Sequence, residues 1–133
     1  MKRYLLAYLA TATTLLVLDG IWLGLIAMPI YQRGIGHLMA PQVNAPAALI
    51  FYAVYVVGLM IYAVTRPRGH DQWGSVLFAG ALFGFFPYAA YDLTNLATLK
   101  DWPLSIAVTD IVWGMVLSAL ASAGGWAVFR KVP

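Results

Sequence analysis

Cysteine is absent from the 133 residues. That excludes disulfides, thiol nucleophiles, iron–sulfur clusters and cysteine-ligated zinc. Glutamate is absent too, so every acidic residue is an aspartate. Two histidines, His37 and His70, are too few for a haem or a histidine-rich metal centre, so neither metal nor other cofactor is expected. There is no Ser/His/Asp grouping, no histidine cluster and no glycine-rich phosphate loop, which argues against the usual hydrolases, di-iron desaturases and ATP-driven pumps. Charge of either sign is scarce at 10% of residues, against about 25% in soluble domains. The pI near 9.3 rests on 8 Lys and Arg residues. These sit at segment ends rather than in a basic patch, and no nucleic-acid motif accompanies them.

What remains is apolar length. With 62% hydrophobic residues and a mean hydropathy of +0.80, the chain reads as one integral membrane domain over 1–133. Four stretches, about 4–30, 45–65, 73–98 and 103–129, each reach the roughly 20 residues needed to cross about 30 Å of hydrocarbon. The first is too long for a signal-peptide core. Between them lie turn residues: Gln32 to Asn44 with its glycines and Pro41, then Arg66 to Asp71, then Lys100-Asp101-Trp102-Pro103. Pro103 is expected to open the fourth helix, and Pro87 to kink the third. Short connections make this an all-α antiparallel four-helix bundle.

Lys2, Arg3, Arg66, Arg68, Arg130 and Lys131 fall on one side, and only Arg33 and Lys100 on the other. The positive-inside rule then places both termini in the cytoplasm. Tyr31 and Trp102 are expected at the outer interface, and Tyr4, Trp73 and Trp126 at the inner one. Gly80, Gly84, Gly114, Gly124 and Gly125 read as sites of close helix approach. His70, in a basic turn, reads as solvated.

Asp19, Asp92 and Asp110 lie inside the spans, whereas no Lys or Arg does. A carboxylate at such depth costs roughly 2.5–3.5 kcal/mol, so a reason for its presence is expected. Counting about 1.5 Å per residue from the span ends puts all three in the outer half of the bilayer. Tyr88, Asp92 and Asn95, at i, i+4 and i+7, form one helical stripe. Tyr91 and Thr94 accompany them, and Arg33 or His37 of the first outer loop could fold over the layer. Three carboxylates at one depth are not all ionised without counter-charge, so a shared proton, a hydrogen bond to another carboxyl or to Asn95, or a bound cation is expected. Trp22 and Trp113 stand three residues after Asp19 and Asp110, and would wall a pocket with Phe85, Phe86 and Tyr88. Tyr52, Tyr55 and Tyr62 read as ordinary packing and interface residues.

Asp-x-x-Trp-Leu-Gly in the first span, Tyr-Asp-Leu-Thr-Asn-Leu-Ala-Thr-Leu from Tyr91 to Leu99, and Asp-x-x-Trp-Gly in the fourth resemble a family of small four-span bacterial membrane proteins, the domain of unknown function number 2177. The resemblance implies a bacterial inner-membrane protein with a bias towards lipid chemistry, and it carries over no activity.

Three functions fit the residues. One is an enzyme or binding protein for a lipid-like or hydrophobic small molecule, its head near the aspartates. In this reading Asp92 is general acid, Asp19 or Asp110 the conjugate base, and Asn95 orients. Another is a proton- or cation-coupled transporter or channel subunit. It would need a homo-oligomer, since the inner halves of the spans hold no ionisable group. The third is an assembly partner whose polar layer receives a basic residue. Against all three stands a purely structural network of interhelical hydrogen bonds, each worth about 0.6 kcal/mol. Membrane lipids are the partners common to every reading.

Overall fold

The computed structural model describes residues 1–66 and 72–133. The Arg66 to Asp71 turn, with Arg68 and His70, therefore lies outside the described residues from position 67 onward. All regular structure among the described residues is helical: α1 (Lys2–Ile21), α2 (Met28–Ile35), α3 (Ala45–Leu59), α4 (Gln72–Thr98) and α5 (Leu104–Phe129). A π-helical segment, Trp22–Ala27, joins α1 to α2, and a second, Met60–Val64, extends α3. Four helical stretches are long and apolar enough to span a membrane: Lys2–Leu38, Ala45–Val64, Gln72–Thr98 and Leu104–Phe129.

The last three match the expected spans to within a residue or two. The first does not stop near Ile30 but continues to Leu38. Pro29 lies in the first turn of α2, where a missing N–H costs least, so it permits the continuation. Asn44 caps α3, its side chain accepting from Ala47 N at 3.2 Å. Pro103 is the residue before α5 rather than its first turn, and α4 runs unbroken through Pro87.

α5 is the central helix, packed on α1 along one side and on α4 along the other, while α3 completes the bundle between α1 and α4. Close approach to α4 depends on small residues. A methyl on Gly84 would collide with the backbone of Gly114 and the Ser118 hydroxyl, so only glycine permits this crossing. Gly80, facing Ser118 and Ser122, continues the seam one turn on. With no hydrophobic drive between helices in lipid, such backbone contact is what holds the pair together.

Both termini lie at one end. There the Arg3 guanidinium sits 3.7 Å over the Phe129 ring and donates to the Phe129 carbonyl at 2.8 Å, placing a cation where the α5 dipole ends. The main apolar core (Leu15, Val56, Leu59, Val64, Leu117, Trp126) fills this half of the bundle. A smaller cluster of Trp102, Ile106 and Ala107, with Tyr31, Ile35 and Leu96 against it, closes the remote end. Trp126 and Trp102 are thus core residues, at 4% and 7% exposure, rather than interfacial anchors.

Candidate functional site

Between the two apolar clusters lies a polar layer built from four helices. Asp19, Asp92 and Asp110 are all buried, with exposures of 7%, 0% and 8%. Asp19 accepts one bond at each carboxyl oxygen: the Tyr52 hydroxyl of α3 donates to Oδ2 at 2.5 Å and the Trp113 indole of α5 to Oδ1 at 3.0 Å. Asp110 accepts from the Tyr31 hydroxyl of α2 at 2.6 Å, and the Trp22 indole reaches the same hydroxyl at 3.5 Å. O–H···O distances of this length are those of a phenol donating to a carboxylate. The Trp22 and Trp113 rings stack, with centroids 4.5 Å apart and planes 10° from parallel.

The two Asp-x-x-Trp motifs therefore interlock. On antiparallel helices the Trp of each lies level with the Asp of the other. Trp113 serves Asp19 directly, and Trp22 serves Asp110 through Tyr31. An unbroken α-helix would put Tyr31, nine residues or about 2.5 turns after Trp22, on the opposite face. The π segment between them takes up an extra residue per turn and rotates α2 back, a distortion common at functional sites. Gly34 then lets α2 press onto α5: a methyl there would fall 2.6 Å from Ile106 Cδ1. Tyr31 is accordingly an inward-facing hydrogen-bond donor, not an interfacial belt residue.

The expected convergence of the aspartates needs correction. Among the described residues no three His, Asp or Glu side chains come together as metal ligands would. No carboxyl bonds to another or to Asn95; Asp19 and Asp110 take phenols and indoles from neighbouring helices instead. Asp92 makes no hydrogen bond of good geometry: both its oxygens are buried without one, as is the Trp102 indole N–H, yet that indole lies within interaction range of the Asp92 carboxyl. The Trp102 ring stands edge-on to Tyr91 at 5.7 Å.

The remaining residues of the expected site fall into two groups. Tyr88 packs its ring against the Gly114 backbone and stands edge-on to Tyr55 at 6.4 Å. With Phe51, Pro87 and Tyr91 it lines a lateral groove of about 320 Å³ between α3 and α4. Phe51, on the same groove, stands 5.3 Å from the ring of Tyr52 and so brings the groove beside the network. Asn95 is half-buried, one turn after Tyr91. Thr94 is exposed and bonds back to the Ala90 and Tyr91 carbonyls at 2.5 and 3.0 Å. Arg33 and His37 are exposed as well. The wall expected from Phe85 and Phe86 lies on the outward side of α4, where Phe86 is 62% exposed.

Sequence reasoning missed Tyr31, Tyr52, Tyr55 and Trp102. Tyr52 holds Asp19, and Tyr55 shares a 2.6 Å bond with Ser118. The signal was present: intramembrane carboxylates without an intramembrane Lys or Arg must take donors from phenols and indoles, and Tyr52 and Tyr55 are three residues apart on one face of an otherwise apolar span.

No curated protein and no solved structure matches this chain. A family model described as "Predicted membrane protein" does match, over residues 4–127. With four membrane-length helices behind that match, the chain belongs to the DUF2177 family of membrane proteins.

Proposed function

We propose that this protein binds a lipid-like or hydrophobic small molecule in the groove between α3 and α4, beside the polar layer. One observation carries the reading. The groove lined by Phe51, Pro87, Tyr88 and Tyr91 lies between α3 and α4, and its Phe51 ring stands 5.3 Å from that of Tyr52, the phenol that holds Asp19. Concave, largely apolar sites with a few placed polar groups are the usual form of small-molecule sites. A ligand enters from the bilayer without crossing water.

Asp92 and Asp110 are buried and line none of the groove; in this reading Asp110 holds the layer together through Tyr31. The exposed Arg33 and His37 take no part.

The test is ligand retention. Native mass spectrometry of the full chain released gently from membranes is expected to show a bound lipid-sized adduct. Val54→Trp enlarges an exposed α3 side chain in the adjoining concavity, which shares Phe51 and Pro87 with the groove, and is expected to remove the adduct while the protein stays folded. An adduct of equal abundance in the variant would refute the site.

A further inference from the structure

The groove is one part of a longer concave seam. Toward the termini it continues past Gly58 and Phe83, then past Tyr62 and Ala79, and ends in a concavity of about 410 Å³ lined by Tyr62, Arg66, Ser75, Phe78 and Ala79. Neighbouring concavities share walls: Phe51 and Pro87, then Phe83 and Pro87, then Tyr62 and Ala79. Ser75 and Tyr91, at the two ends, are sixteen residues apart on α4, or about 24 Å. One leaflet offers a chain only about 15 Å of hydrocarbon.

Charge is distributed unevenly along this length. Arg66 lines the end near the termini, whereas the three buried aspartates belong to the polar layer beyond the main apolar core. An anion is attracted to the first and repelled from the second. Between them the walls are rings and aliphatic carbons, and the remote end offers the neutral phenols Tyr88 and Tyr91.

Resting on the groove reading above, we infer that the occupant is a long single-chain anionic amphiphile. Its carboxylate or phosphate head sits at Arg66, and its chain crosses the bilayer midplane so that the far end lies against Phe51, Tyr88 and Tyr91. The charged head therefore lies opposite the aspartates, and it is the end of the chain that meets the polar layer. An ordinary two-chain phospholipid fills only the near half of the seam.

The test uses the full chain in phosphatidylcholine vesicles with a long-chain fatty acid carrying a photoactivatable diazirine at its methyl end. Crosslinks are expected at Phe51, Tyr88 and Tyr91. Arg66→Gln is expected to lower their yield about five-fold, the effect of one interfacial cation, and Arg66→Lys to restore most of it. A long-chain fatty acid and a polyprenyl phosphate are then compared as unlabelled competitors. The stronger identifies the head group, and displacement by neither overturns the proposal. Unchanged yield in Arg66→Gln, or methyl-end crosslinks gathered at Tyr62 and Phe78, would overturn the anion site and the chain's direction while leaving a ligand in the groove. Crosslinks no denser in the seam than on the opposite face, at Leu25 or Val112, would overturn the groove reading as well.

Discussion

At the residue scale the three intramembrane aspartates are distinguished by their partners. Asp19 uses both oxygens, Asp110 one, and Asp92 none. Breaking a bond to a charged, buried group leaves it uncompensated, whereas replacing an unpartnered one removes a cost. Tyr52→Phe is accordingly expected to destabilise the fold by about 1–3 kcal/mol, measured by reversible unfolding in bicelles. Asp92→Leu, which leaves only the weakly placed Trp102 indole without its neighbour, is expected to cost less than Tyr52→Phe in the same assay, and to leave groove binding intact. The aspartates were legible in the sequence because a carboxylate in an apolar run is conspicuous. Their partners were not, since Tyr52 in an uncharged span looks like any packing tyrosine until Asp19 is placed beside it. The proximity of Trp102 to Tyr91 was equally hidden, because a Trp next to a proline at a span end has the signature of an interfacial anchor.

At the element scale the first membrane helix carries the distortion that assembles the site. The π segment Trp22–Ala27 rotates α2 so that Tyr31 faces Asp110. Deleting Gly24, which has open space around it, is expected to restore α-helical geometry and to leave Tyr31 eight residues after Trp22, the i+8 spacing of one helical face, so that Tyr31 still meets Asp110 and Trp22 still meets Trp113. The stacked indoles should give an exciton couplet in circular dichroism that Trp22→Phe abolishes and the deletion preserves. A couplet lost in the deletion would show that the π turn does more than absorb one extra residue. On the opposite side of α5, Gly84→Leu is expected to force α4 and α5 apart at a cost of about 1–3 kcal/mol, read from the same unfolding assay. Element boundaries in the later spans were legible from capping and turn chemistry at Asn44, Lys100 and Pro103. The first was misjudged at Pro29 because a proline stops a helix only when its missing N–H falls in the interior.

At the scale of the whole molecule, four spans bring the termini to one end, tied by Arg3 to Phe129. The positive-inside rule makes this end cytoplasmic in our account. The absence of cysteine makes the assignment simple to test. In intact cells a membrane-impermeant maleimide is expected to label His37→Cys, and to label Lys131→Cys only after permeabilisation. The reverse pattern would invert the topology. Four spans and an antiparallel bundle were legible from hydropathy and turn residues alone. The lateral groove was not, because it arises where the exposed first half of α3 leaves α4, and a gap between helices has no signature in either helix.

The most direct measurement is a high-resolution structure of the protein in lipid nanodiscs assembled from its native membrane. Our account predicts continuous, elongated density in the α3–α4 seam, touching Phe51, Tyr88 and Tyr91 and stronger than that of any annular lipid. A seam closed by its own side chains, or density there no stronger than around the rest of the bundle, would contradict it.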